Sequence, residues 1–153
     1  MTRQIAVIGD PVDHSLSPQM QTAAFEVVGL DWTYQRLCVP RHELRARWDG
    51  LGSEFWGLNV TAPLKEDVAR LVTRVTTTAS RCGSVNTVIF EAGGALGDST
   101  DGEGFMTALA RAGMQQVQCA AVLGTGGAAK AVVAALAESG SRVTVLGRNL
   151  AAG

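Results

Sequence analysis

The stretch from Cys119 to Gly147 constrains the fold more than any other. It reads as an apolar run (CAAVLG), a turn of small residues, an alanine-rich run closed by Gly140, and a second apolar run (RVTVLG). Short apolar runs without alternation predict strands buried on both faces, and the alanine-rich segment predicts a helix. Strand, helix and strand in that order make a parallel pair joined by a right-handed crossover. Gly124, Gly126 and Ala129 satisfy GxGxx(G/A) immediately after the first strand and at the opening of the helix. In a dinucleotide fold the first glycine makes the turn and the second lets the backbone approach a pyrophosphate. The third small residue lets the helix pack on the strand. The helix N-terminus then offers unpaired N–H groups to phosphate oxygens. A glycine turn serving packing alone is the plainer alternative. A Walker-type loop is excluded, because Lys130 lacks the glycine before it and the Ser or Thr after it. Where NAD-selective folds carry an acid at the end of the second strand, this chain has Arg148. A guanidinium there favours a 2′-phosphate, hence NADP over NAD, against the simpler reading of a solvated loop arginine.

Upstream, QIAVIGD predicts a buried strand ending in a turn. A helix follows, with Ser17 as N-cap, Pro18 as its first residue, and Met20, Ala23, Ala24, Val27 and Val28 on its apolar face. Trp32 to Val39 and the run FWGLNVT predict strands. RHELRARWDGL and Glu66 to Thr73 predict helices. SVNTVIFEAGGALGDST predicts a hairpin, and Gly102 to Ala112 another helix. The polar stretch Gly113 to Gln118 predicts a joint. The expected division is therefore residues 1–114 as one α/β unit and 115–153 as the opening of a second. A net charge of −1 across 153 residues argues against a nucleic-acid tracker or a polybasic membrane binder. Three widely spaced cysteines without a CxxC pair argue against a disulfide framework or a metal site. With a polar N-terminus and no long apolar run, they predict a soluble cytoplasmic protein.

Four clusters in the first unit each have a structural explanation of their own. Ser15 could be a turn residue, Ser17 a cap, and Lys65 beside Glu66 and Asp67 a solvated helix start. Thr100 and Glu103 have capping-box spacing, and Asp101 suits a helix dipole. Asn59-Val60-Thr61 matches a glycosylation sequon by chance. As an ordered set, however, Ser15-Leu16-Ser17-Pro18, Asn59 to Lys65, Ser84 to Thr87, Ser99 to Phe105 and Gly124 to Ala131 resemble the shikimate dehydrogenase family. That family reduces 3-dehydroshikimate to shikimate with NADPH, in the biosynthesis of aromatic amino acids through chorismate.

The resemblance implies an α/β substrate-binding domain followed by an incomplete Rossmann-type NADP-binding domain. It implies that Lys65 and Asp101 are catalytic, the lysine polarising the ketone and managing its proton. It further implies that Ser15 and Ser17 bind the substrate carboxylate, and that Thr61, Lys65, Asn86 and Asp101 bind elsewhere on the ring. Gly124, Thr125, Gly126, Gly127, Ala128, Ala129, Arg148 and Asn149 would bind NADP. Ser99 stands where the family usually has Asn, and Gly147-Arg148-Asn149 keeps only the arginine of the usual phosphate clamp. The resemblance also implies that the chain is a piece of a longer one, because family members run to roughly twice a domain of this size. The expected partners are a small-molecule substrate and a second copy of the chain, without nucleic acid, membrane or metal. Quinate or aminoshikimate dehydrogenase, and a ligand-binding fragment without turnover, are the competing readings.

Overall fold

The computed structural model describes residues 2–148, so the expectation for Asn149 lies outside the described residues. Strand β1 (Arg3–Gly9) lies between β2 (Trp32–Cys38) and β3 (Gly57–Val60), parallel to both, with Ile8 opposite Leu37 on one side and Val60 on the other. A central strand must hide both faces. Ala6 and Ile8 join the core that holds Leu44, Leu51, Leu58, Leu64, Val68 and Val88, while Val7 joins Val12, Phe25 and Tyr34 on the opposite side. The two-residue period of a strand produces this split.

The predicted hairpin is present. Strand β5 (Thr87–Glu91) runs antiparallel to β3, and β6 (Gly94–Asp98) returns along it, setting Thr87 opposite Asp98. A two-residue strand that the sequence pattern did not announce, β4 (Arg74–Val75), pairs with β6 and completes the sheet order β2-β1-β3-β5-β6-β4.

Helix α1 (Ser17–Val27) corrects two expectations. Leu16 occupies the cap position with no side-chain cap bond, and Ser17 is already helical. The buried residue is Phe25, whose ring packs at 5.4 Å from Trp32 and 6.4 Å from Tyr34. Met20, Val27 and Val28 are exposed. One large ring removes more apolar area from water than the smaller aliphatics on the other face, and so sets the helix's rotation. Helix α2 (Leu44–Glu54) buries Leu44 and Leu51 and sets Trp48 against Phe90. Helix α3 (Lys65–Ala69) is shorter than its pattern, because the Thr73 N–H donates to Ala95 O at 2.9 Å and draws the chain into the sheet. Helix α4 (Thr77–Cys82), also unannounced, is capped by the Thr76 hydroxyl, which accepts from Ala79 N–H, and ends at Gly83 with φ of 60°.

Helix α5 (Asp101–Arg111) follows the hairpin. The chain then forms β7 (Cys119–Leu123), α6 (Gly127–Glu138) and β8 (Arg142–Leu146), a parallel pair with Cys119 opposite Arg142. The predicted βα crossover is thus present, but its strands are not buried on both faces. Cys119, Ala121 and Leu123 are exposed, because β7 and β8 pair only with each other among the described residues and α6 covers one side. Helices α4 and α5 also pack against α6. At Gly102 of α5 a Cβ would stand 2.8 Å from Ala131 O and 3.0 Å from Ala135 Cβ, so only hydrogen fits between these helices. Arg81 of α4 pairs with Glu138, and Lys130 pairs with Glu66 at 3.1 Å.

Candidate active site

The carboxyl ends of β1 and β3, together with the open end of the β5–β6 hairpin, collect the polar side chains. After β3 the chain turns tightly, the Thr61 N–H donating to Ile8 O at 2.9 Å and Leu64 N–H to Thr61 O at 3.0 Å. Gly9 is required here, because a Cβ at that position would collide with the Thr61 methyl. The turn delivers Lys65 as the first residue of α3. The antiparallel return of the hairpin brings Asp101, first residue of α5, to the same place.

Lys65 Nζ donates to Asp101 Oδ2 at 2.5 Å, and Asn86 Nδ2 donates to Asp101 Oδ1 at 2.8 Å. Both groups of the ion pair are mostly withdrawn from water, with side-chain exposures of 15% and 22%. A charge pair so placed is screened less than a surface pair. Asp101 also sits in the first turn of an eleven-residue helix, where the helix dipole favours a negative charge. Asn86 is held on its other side: its Oδ1 accepts from Thr87 Oγ1 at 2.9 Å and from Thr100 N–H at 3.1 Å. The expected Thr100/Glu103 capping box does not form. No side chain caps α5, and the Thr100 hydroxyl lies 3.0 Å from Asn86 Nδ2.

Ser15 and Ser17 stand together at the start of α1. The Ser15 hydroxyl accepts from Ser17 N–H at 3.2 Å and donates to the Ser17 hydroxyl at 3.1 Å. Arg36 of β2 fixes this loop, donating from Nε to Ser15 O at 2.7 Å and from Nη2 to Gln19 Oε1 at 3.0 Å. Two residues away along β2, on the same face, the Tyr34 hydroxyl donates to Asn59 Oδ1 at 2.6 Å. Burial pushes the Tyr34 phenol up to about 12, a rise that the Ser17 hydroxyl beside it partly offsets. Sequence reasoning missed Arg36 and Tyr34, which look like ordinary strand residues. Two buried hydroxyls lack partners among the described residues, those of Ser84 and Ser99.

The glycine turn is seated directly on this cluster. Gly124 has φ of 122°, a conformation open to glycine, and its N–H donates to Leu146 O at 2.8 Å. Gly126 caps α6 in extended conformation, and no atom of the described residues would lie within 4 Å of a Cβ there, which leaves the backbone open on that side. Gly127 is the opposite case. A Cβ would stand 2.6 Å from Ser84 Oγ and 3.0 Å from Lys65 Cβ, so the N-terminus of α6 rests on Lys65 itself. A cleft of about 400 Å³ beside the turn is lined by Gly124, Thr125, Ala129 and Lys130. Arg148 is exposed just past β8. The open turn, the helix N-terminus and the guanidinium fit a dinucleotide carrying phosphate groups.

Residues 7–88 match the family model described as the shikimate dehydrogenase substrate binding domain. The shikimate dehydrogenase (NADP(+)) of Rubrobacter xylanophilus is 47% identical over 142 residues, an alignment covering 91% of this chain and 50% of that protein. The protein of the same name from Geobacter metallireducens is 43% identical, with 99% of this chain and 54% of that one covered. Among solved structures, shikimate dehydrogenase from Aquifex aeolicus superposes with a TM-score of 0.90 at 39% identity, over 97% of this chain and 56% of that one. The Thermus thermophilus shikimate dehydrogenase in complex with NADP(H) and shikimate gives 0.87 at 38% identity, over 99% and 58%. This chain spans about half the length of the curated relatives it matches. With its sheet order, its glycine turn and its lysine–aspartate pair accounted for, the chain belongs to the shikimate dehydrogenase family.

Proposed function

We propose that residues 1–114 form the substrate-binding domain, and residues 115–153 the opening of the NADP-binding domain, of an enzyme that reduces 3-dehydroshikimate to shikimate. The observation that carries this reading is the part-buried Lys65–Asp101 pair with the N-terminus of α6 resting on Lys65. On this reading a proton donor stands next to the turn that would hold a dinucleotide.

Gly124, Thr125, Gly126, Gly127, Ala128 and Ala129 would hold the pyrophosphate, and Arg148 the 2′-phosphate; Asn149 belongs to the same reading. NADPH, when bound, supplies the hydride that adds to the ketone carbon. Lys65 donates a hydrogen bond to the ketone oxygen, stabilises the negative charge that develops there, and gives up the proton that completes the hydroxyl. Asp101 keeps the lysine aimed and, with Asn86, accepts and donates to neighbouring ring hydroxyls. Ser15 and Ser17 present hydroxyl donors at a helix N-terminus to the substrate carboxylate. Thr61 lies on the turn leading to Lys65 and binds a further hydroxyl. The cytoplasm as compartment and a pairing of two copies belong to the same proposal. No described helix is long and apolar enough to cross a membrane.

Titration calorimetry of the chain with shikimate, with quinate and with NADP tests the proposal. Preferential binding of shikimate, weakened at least tenfold in Asn86→Ala, supports the proposal. Equal or absent binding of all three overturns it.

A further inference from the structure

The two ends of the proposed site, the serine pair and the lysine–aspartate pair, are not independent. Ser15 donates to Ser17. Tyr34, beside Ser17, donates to Asn59 Oδ1 at 2.6 Å. That bond fixes which way the Asn59 amide faces, because its oxygen is taken and its nitrogen must point elsewhere. The nitrogen reaches Thr87 Oγ1 at 3.4 Å and Asn86 O at 3.5 Å. With an amide N–H directed at its oxygen, the Thr87 hydroxyl is turned to donate, and it donates to Asn86 Oδ1 at 2.9 Å. Asn86 in turn presents its nitrogen to Asp101, which accepts Lys65 on its other oxygen. The Thr100 N–H, donating to Asn86 Oδ1 at 3.1 Å, holds the last of these orientations from the other side.

We propose that Tyr34 is a positioning residue for this site: its hydroxyl, through Asn59 and Thr87, tightens the hold on the Asn86 amide that Thr100 N–H also grips, and so links the Ser15–Ser17 end to the Lys65–Asp101 end. The inference rests on the substrate reading above, but the network itself is testable without ligand. Tyr34 is only 9% exposed, in contact with Val12 and Phe25, and touches neither Asn86 nor Asp101. Its role is therefore exerted through other side chains, and the phenylalanine variant keeps the ring while removing only the hydroxyl. A polar network of this kind strengthens when every member is satisfied, and one missing bond leaves a part-buried acceptor unpaired.

The test uses the chain with isotope-labelled asparagine side chains and, separately, a labelled tyrosine Cζ. The sequence contains one tyrosine, so the second label gives one resonance. Tyr34→Phe is expected to shift the Asn86 side-chain amide resonances although the two residues are not in contact. In a Thr87→Val background, Tyr34→Phe is expected to leave those resonances where Thr87→Val put them, because the link is already cut. A purely structural role for the ring would move neither, and a general loosening of the fold would move them in both backgrounds. With shikimate as probe, the tyrosine resonance of the unmodified chain is expected to shift as Ser17 turns to the carboxylate, and Tyr34→Phe to weaken binding about tenfold. Shikimate that binds equally to the unmodified and Tyr34→Phe chains, or Asn86 resonances untouched by Tyr34→Phe, overturns the inference. Shikimate that fails to bind the unmodified chain overturns the substrate reading instead, and the Asn86 resonances then decide the network alone.

Discussion

Replacing Gly127 by alanine puts a methyl group where Ser84 and Lys65 already stand. The new Cβ would lie 2.6 Å from Ser84 Oγ and 3.0 Å from Lys65 Cβ. Neither neighbour is a free chain end: Ser84 is fully buried, and the Lys65 Cβ is fixed to the first turn of α3. Overpacking of this kind costs about 1–3 kcal/mol. Alanine recovers about 1 kcal/mol over glycine in a helix, which leaves a net loss of up to about 2 kcal/mol. Ser84→Ala alone removes a buried hydroxyl that has no partner, a change expected to be neutral or stabilising. Made together, the two substitutions relieve the shorter contact, so the double variant should be more stable than the sum of the single effects. Groups in direct contact typically couple by about 0.5–3 kcal/mol; because Oγ is the nearest atom, at least ~1 kcal/mol is expected here. Urea unfolding of the four chains, at a common slope, measures the cycle. Additivity within about 0.3 kcal/mol would refute the reasoning, since it would mean that α6 moves off Ser84 and Lys65 without resistance.

Other perturbations separate the roles assigned above. Lys65→Ala should lower kcat for 3-dehydroshikimate reduction about 10²–10⁴-fold, the usual contribution of a general acid, whereas an unchanged kcat removes Lys65 from the chemistry. Arg148→Ala should weaken NADP about ten- to a hundredfold, as loss of a charged hydrogen-bond partner does, with NAD nearly unaffected; equal losses count against a 2′-phosphate role. The hydrogen bond from Arg41, then its charge and that of Arg70, hold the Asp67 carboxyl below the usual range against some desolvation. A lowered native value means stability that is full above the ordinary carboxylate range and is lost as pH falls through the native value. Arg41→Gln should therefore raise the Asp67 midpoint in an NMR titration and move that loss to higher pH; an unmoved midpoint refutes the pairing.

Local signals sufficed where the physics is local. The hairpin follows from an Ala-Gly-Gly-Ala turn after the β-branched run Thr87 to Ile89, and the βα crossover from apolar runs flanking a small-residue turn. Strand β4 was not legible, because two residues carry no period and only the pairing of Arg74 with Leu96 makes them a strand. Helix α4 did carry Thr76 and Gly83 at its ends, but a six-residue core between them is too short to show periodicity. In α1 the aliphatic spacing pointed to the wrong face, since the competing pull of Phe25 depends on the rings of Trp32 and Tyr34 waiting on β2. Within the site, Ser15, Ser17, Thr61, Lys65, Asn86 and Asp101 stood out through their motifs. Tyr34 did not, because its partner Asn59 lies on another strand and a tyrosine in an aromatic run reads as core. The seat of Gly127 on Ser84 and Lys65 was equally hidden, since only the packing of α6 against the first unit creates it.

The hairpin also governs how the chain's own entropy is distributed over the site. Asn86 and Asp101 are 15 residues apart, Lys65 and Asp101 36, and the two ion pairs that reach α6 close spans of 57 and 64. Each doubling of a closed span costs only about 0.6 kcal/mol of chain entropy. The ion pairs on the longest closures are partly exposed and add little free energy beside the packing of α6 on Gly102. Lifting of α6 would return the most chain entropy, and its packing on Gly102, rather than the two ion pairs, is what opposes it. Such lifting would break no bond between the amide and the carboxylate joined by the hairpin. Reclosure then has one task left, to set a helix terminus back on a lysine that has not lost its partner.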